Sequence, residues 1–88
     1  MYYVYLIITK SKNNYISYVG STNDVKKRLV KHNSSKGAKF TRGKYWEIIY
    51  KKKYETKSKA LKEEYKLKKN IKKRKEIKIK FINKYEKK

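Results

Sequence analysis

Arg28 and His32 stand four residues apart in a stretch that reads as a helix, so a guanidinium and an imidazole project together from one face. An imidazole can move a proton near neutral pH, and a guanidinium can meet negative charge with directed hydrogen bonds. Glu64 is a third group of interest. It lies four residues after Ala60 and three before Leu67, on the stripe that Ala60, Leu61, Leu67 and Ile71 mark as the inward face of a second helix. Its neighbour Glu63 turns outward among lysines. A carboxylate on the apolar edge of a basic domain needs a partner, either a cationic side chain or a metal ion. Tyr3, Tyr5 and Tyr18 add phenols. Each group also has an ordinary reading: a structural ion pair for Glu64, a solvated basic face for Arg28 beside Lys26, Lys27 and Lys31, a helix-dipole partner for His32, and core packing for the tyrosines.

The elements that must position these groups follow from periodicity. Residues 2–9 alternate, with Tyr3, Tyr5 and Ile7 on one side and Val4, Leu6 and Ile8 on the other. Both sides are apolar, which suits a central strand covered on both faces. The polar run from Lys10 to Asn14 reads as a turn, and Tyr15 to Gly20 as a second strand completing a hairpin. Ser21 to Asp24 offers N-caps for a first helix over about residues 24–32, whose stripe is Val25, Leu29 and His32. A loop with Asn33, Ser34, Ser35, Gly37 and Gly43 leads to a third strand, Trp46 to Tyr54, with Trp46, Ile48 and Tyr50 expected on one face. Thr56 or Ser58 caps a second helix from about 58 to 70. A basic third helix then runs toward Lys88, its narrow apolar edge being Ile71, Ile77, Ile79, Phe81, Ile82 and Tyr85. The expected fold is α+β, a small three-stranded antiparallel sheet flanked by helices in the order β-β-α-β-α, with an added C-terminal helix. One domain is expected over residues 1–88, with its core in 2–70 and a basic extension in 71–88.

Composition bounds the function. The chain of 88 residues carries 28 basic and 7 acidic side chains, a formal charge of +21, so its field favours polyanions, nucleic acid first. Only Arg28, Arg42 and Arg74 are arginine. The remaining cations are lysines, which hold phosphate as point charges rather than through a planar fork. Because there is no cysteine, a disulfide scaffold, an iron–sulfur cluster and a cysteine zinc site are excluded. The apolar N-terminus lacks a basic leader and a cleavage site and is too short to span a bilayer, so no membrane association and a cytoplasmic location are expected.

Taken in order, Tyr3-Val4-Tyr5, Tyr18-Val19-Gly20, Arg28, and Ala60-Leu61 followed by Glu64 resemble the GIY-YIG nuclease domain. The likeness is strongest to the small stand-alone bacterial members, through Tyr18 to Asp24, Arg28 to Asn33 and Gly37 to Gly43. It covers about residues 2–70. The resemblance implies an endonuclease that hydrolyses DNA phosphodiester bonds with Mg2+ or Mn2+, in repair, recombination or single-strand processing. It implies catalytic roles for Tyr5, Tyr18, Arg28, His32 and Glu64, with Glu64 the metal ligand. Arg28 would stabilise charge on the phosphoryl oxygens, and either Tyr5 or His32 would be the base. A phenol is a poor base at its ordinary pKa of about 10, so the metal and Arg28 would need to lower that of Tyr5 for it to serve as the base. Tyr3 and Val4 depart from the name-giving glycine and isoleucine, and Asn70 is a loose counterpart of an asparagine in larger members.

Phosphate contacts are expected from Lys27, Lys31, Lys39, Arg42, Lys69 and Arg74. Tyr15, Phe40, Tyr45 and Trp46 could stack unpaired bases, with core packing the better reading for Trp46. DNA is the expected partner, with single strands and branched structures both open. The alternative is a non-catalytic basic module that binds DNA or RNA.

Overall fold

A computed structural model describes residues 1–12 and 14–86. The elements run β1 (Tyr2–Ser11), β2 (Asn14–Thr22), α1 (Val25–Asn33), a 3-10 turn (Lys39–Thr41), β3 (Glu47–Tyr54), α2 (Lys57–Lys69) and α3 (Ile71–Glu86). All strand pairs are antiparallel and the sheet order is β2-β1-β3, which gives the expected α+β architecture of a three-stranded sheet with helices. No helix among the described residues is long and apolar enough to cross a membrane.

β1 is the central strand because both of its faces are apolar. Val4 and Leu6 pack with Val19, Ala60 and Leu67 under α2, while Tyr5 and Ile7 pack with Val25 and Trp46 on the α1 side. The hairpin is tighter than the polar run suggests. Pairing continues to Ser11 opposite Asn14, with Lys12 at φ 54°, the left-handed conformation that a two-residue hairpin loop requires. Asn13, expected in this turn, lies outside the described residues.

Helix starts follow the capping residues. Asp24 Oδ1 accepts from the Lys27 amide at 3.1 Å to open α1, and Thr56 Oγ1 accepts from the Lys59 amide at 3.1 Å to open α2. Asn70 closes α2, and its Oδ1 accepts from the Lys73 amide at 3.0 Å to open α3. Arg74 reinforces the junction, donating from Nε to the Leu67 carbonyl and from Nη2 to the Lys68 carbonyl. These carbonyls lie in the last turn of the helix, beyond reach of the regular i→i+4 ladder, and a cation meets the negative end of the dipole there.

Three expectations of packing are corrected. Trp46, Ile48 and Tyr50 do not share a face. A bulge sits between Leu6 and Ile7 of the β1–β3 ladder, so Ile48 joins the Tyr5 side while Ile49 and Tyr50 join the Val4 side. Leu61 and Ile71 do not line the inward stripe; both are exposed. The break at Asn70 takes Ile71 out of the α2 phase, and the buried line is Ala60, Glu64, Leu67. On α3, Ile71 and Ile79 are exposed, and the covered edge is Arg74, Ile77, Phe81 and Ile82. The side chain of Tyr85, expected on the same edge, lies outside the described residues.

Gly20 pairs directly with Tyr5, and the Tyr5 ring lies over it. A Cβ at Gly20 would fall on the Tyr5 hydroxyl and 2.5 Å from Cζ. Gly20→Ala is therefore expected to push the buried Tyr5 ring aside and lower stability by about 1–3 kcal/mol, the usual cost of overpacking. Urea denaturation of the two proteins measures this directly.

Candidate active site

Tyr5 and Tyr18 come from neighbouring strands and point to the same face, Ile7 being the register partner of Tyr18. α1 lays His32 against both rings, with centroid separations of 5.9 Å to Tyr5 and 5.4 Å to Tyr18. His32 and Tyr5 are almost wholly buried, at 0% and 2% exposure. A buried imidazole needs both nitrogens satisfied, and here they are. The Tyr5 hydroxyl lies 2.8 Å from Nε2, and Thr41 Oγ1 lies 2.8 Å from Nδ1.

The tautomer follows from the next bond in the chain. Thr41 has one hydroxyl proton, and it donates to the Ala38 carbonyl at 2.8 Å. Thr41 Oγ1 therefore accepts from His32, so Nδ1 carries the proton and Nε2 offers its lone pair. Tyr5 then donates its proton to Nε2. Burial holds the His32 pKa below its ordinary 6.5, and the charge of Arg28 adds to this, so the imidazole is neutral at pH 7. For Tyr5 the balance goes to burial. Burial pushes its pKa up to about 12, and a hydrogen bond from Arg28 and the Arg28 charge only partly oppose this. The phenol at rest is a proton donor.

Local chemistry explains how the loop reaches His32. Asn33, just after it, grips the Trp46 backbone, its Oδ1 accepting from the amide at 2.6 Å and its Nδ2 donating to the carbonyl at 3.2 Å. The fully buried Trp46 donates Nε1–H to the Thr41 carbonyl at 3.0 Å. These bonds close the loop over His32 and set Thr41 against the imidazole. Gly37 permits the approach, because a Cβ there would lie 2.5 Å from His32 Nδ1.

Arg28 is half-buried beside Tyr5, and its Nε has no hydrogen-bond partner among the described residues. A buried guanidinium N–H without an acceptor is costly unless an incoming group satisfies it. Glu64 reaches the edge strand from α2. Its Oε1 accepts from Ser21 Oγ at 2.5 Å, and its Oε2 pairs with Lys68 Nζ at 2.8 Å. The Glu64 charge is close enough to act on Tyr5, and its hydrogen bond raises the Lys68 pKa. Five side chains from residues 5 to 64 thus form one centre, with Tyr5, Tyr18 and His32 in ring contact and Arg28 and Glu64 flanking them. Glu63, by contrast, pairs with Lys66 at 3.1 Å and is half-covered rather than fully outward.

Ser21, Thr41 and Lys68 were not singled out from sequence. For Lys68 a signal existed, the i, i+4 spacing to Glu64. Ser21 and Thr41 lie within the family-like stretches Tyr18 to Asp24 and Gly37 to Gly43, but their partners, 43 and nine residues away, were not signalled by local spacing. Among the expected phosphate contacts, Lys27, Lys31, Lys39, Arg42 and Lys69 are exposed, and Arg74 is half-buried at the α2–α3 junction. Asn70 is a double helix cap remote in role from the centre. Trp46 is core, Tyr15 is half-buried, and Phe40 and Tyr45 are 52% and 71% exposed.

A family profile described as the GIY-YIG catalytic domain matches residues 1–78. A UPF0213 protein of Staphylococcus saprophyticus is 40% identical over 65 residues, covering 73% of this chain and 78% of that one. A UPF0213 protein of Oceanobacillus iheyensis is 41% identical over 68 residues, 76% of each chain. Another, from Bacillus subtilis, is 40% identical over 76 residues, covering 85% of this chain and 76% of the relative. No solved structure matches the chain significantly. The profile spans every strand, both α1 and α2, and all five residues of the centre, and the chain therefore belongs to the GIY-YIG nuclease superfamily, in its bacterial branch.

Proposed function

We propose that the chain is an endonuclease that hydrolyses DNA phosphodiester bonds with the help of a divalent metal ion. The observation that carries this reading is the pairing of a buried, unpartnered Arg28 Nε–H with a Tyr5 hydroxyl whose proton is directed at a neutral imidazole. Such a centre can bind a phosphoryl oxygen and accept a proton at the same point.

Water attacking phosphorus must lose a proton as the bond forms. With a pKa near 12, Tyr5 is not a free phenolate base. It is a relay: its oxygen takes the proton from water while its own proton passes to His32 Nε2, leaving an imidazolium. Thr41 stabilises that imidazolium by accepting from Nδ1. The question of whether Tyr5 or His32 is the base then has a divided answer, Tyr5 touching the water and His32 holding the proton. Arg28 would meet the negative charge that develops on the phosphoryl oxygens, with Nε–H gaining the acceptor it lacks. Tyr18, in edge contact with His32, keeps the imidazole plane fixed.

The donor set fits a hard cation that keeps most of its waters. Glu64 is the one carboxylate at the centre, Ser21 supplies a hydroxyl beside it, and no cluster of three or more His, Asp or Glu side chains occurs among the described residues. Mg2+ or Mn2+ would be held by Glu64, with Lys68 giving way, and when bound would polarise the phosphate and help the leaving oxygen. A binding module alone would also tolerate the Glu64–Lys68 ion pair. It would have no use for the buried Tyr5–His32–Thr41 chain.

Glu64→Ala and addition of a chelator are each expected to abolish cleavage of labelled DNA. Affinity measured by gel shift should hold or rise slightly, since a negative charge has been removed. Cleavage by Glu64→Ala at the wild-type rate would refute the role of this carboxylate. Thr41→Val leaves His32 Nδ1–H without its acceptor, whereas Thr41→Ser keeps it. Turnover by the valine variant is expected to fall at least about tenfold at similar KM, with serine close to wild type. In the wild-type enzyme the acid limb of the kcat/KM profile should lie below pH 6.5, because His32 must be neutral and its pKa is lowered.

A further inference from the structure

The loop that carries Thr41 to His32 also shows another face to solvent. From Lys39 to Tyr45 it carries three cationic and two aromatic side chains, and Lys39, Phe40, Arg42 and Tyr45 are all exposed. Buried apolar packing accounts for Trp46 but not for Phe40 or Tyr45, which keep 52% and 71% of their surface open. Phe40 is not loose. Its ring stacks on Tyr18 with centroids 6.0 Å apart and planes 20° from parallel, so it is continuous with the catalytic centre. Lys44 Nζ lies 5.7 Å from the Phe40 ring centre.

Two crevices lie along this segment, one lined by Phe40 and the other by Gly43, Lys44 and Tyr45. The first, of about 340 Å³, is lined by Tyr18, Val19, Phe40, Lys68 and Arg74. The second, of about 540 Å³, lies beyond Lys44 and Tyr45 and is also lined by Lys10 and Lys12. Both fall within the range of small-ligand sites, roughly 300–1,000 Å³. Exposed aromatic faces at short intervals with cations between them suit unpaired bases, because every base has a π-face and every nucleotide brings a phosphate. Paired bases in a duplex are already stacked and do not offer those faces. The cation–π contact of Lys44 with Phe40 is the weaker contact at an exposed site and can yield to a base, leaving the ammonium for the neighbouring phosphate.

We propose that the segment from Lys39 to Tyr45 is a track for an unpaired stretch of DNA, with Phe40 and Tyr45 as stacking platforms for bases and Lys39, Arg42 and Lys44 as contacts to phosphates. The track leads from the crevice at Tyr45, across Phe40, to the Tyr5–His32 centre. This rests on the reading of that centre as the place where a DNA strand is cut. It adds what the strand must look like there: single-stranded on the side that crosses Phe40.

The test is fluorescence anisotropy in a chelator, so that nothing is cleaved, with a labelled oligothymidine of about 12 nucleotides and a duplex of equal length. Phe40→Leu keeps apolar bulk against Tyr18 and Trp46, and Tyr45→Ala removes a ring that is mostly in solvent. Each is expected to weaken single-strand binding by about tenfold, the weight of one stacked base, with duplex binding within about twofold of wild type. Lys44→Gln should instead reduce the salt dependence of single-strand binding by about one counterion. If both aromatic variants bind the single strand as wild type does, or lose single strand and duplex equally, the track is refuted while the nuclease reading stands. If wild-type protein binds neither form, both fail.

Discussion

The structure turns on one line of hydrogen bonds: Tyr5 to His32, His32 to Thr41, Thr41 to the Ala38 carbonyl, each 2.8 Å long and all directed one way. A fully buried imidazole is stable only if both nitrogens are matched, and this line matches them. Much of the surrounding sequence is explained by keeping it intact. Gly20 leaves room for the Tyr5 ring, and Gly37 lets the loop close on Nδ1. Asn33 and Trp46 hold that loop from either end, and Trp46 fixes Thr41 through its carbonyl. The line also has a direction. As a proton arrives at the Tyr5 oxygen, the proton already there can pass to the Nε2 lone pair, and the carbonyl of Ala38 anchors the far end.

The same burial that orders this line sets its response to pH. The His32 pKa is depressed in the folded protein, so between that value and 6.5 the unfolded chain binds the extra proton. Its contribution to stability is complete above about pH 6.5 and is lost as pH falls through the folded value. Tyr5 behaves in the opposite sense. Its pKa is raised from 10.0 to about 12, so its contribution is complete below pH 10 and is lost as pH rises toward 12. Neutral pH lies between the two windows, where the imidazole is unprotonated and the phenol protonated. The charge of +21 plays a different part: its field favours polyanions, while the carboxylate of Glu64 is matched by Lys68 and Ser21.

What could be read from the sequence is what period and local chemistry encode. The two-sided apolar alternation of β1, the caps Asp24 and Thr56, and the phase that turns Glu64 inward all depend on residues within a few positions of one another. The ordered tyrosine, arginine and glutamate motifs added the superfamily. Contacts made across long separations were not legible. Nothing near Leu6 or Ile49 signals the bulge that sends Ile48 and Tyr50 to opposite faces, since a bulge is a property of a strand pair. Asn70 reads in sequence only as a loose counterpart of a family asparagine, and its use as a cap to two helices depends on the chain turning there. The pKa of Tyr5 is a related case: the resemblance brought Arg28 and this phenol to one site, but the depth of burial that outweighs the Arg28 charge was not legible.

The chain contains a single histidine, so the state of the central imidazole can be observed without assignment. Nitrogen-15 NMR of the ring at pH 7 is the most direct measurement. The account requires a neutral ring protonated at Nδ1, with Nε2 showing the shift of an unprotonated nitrogen that accepts a hydrogen bond. A ring protonated at Nε2, or an imidazolium at that pH, would contradict it, because Tyr5 would then have no acceptor for its proton.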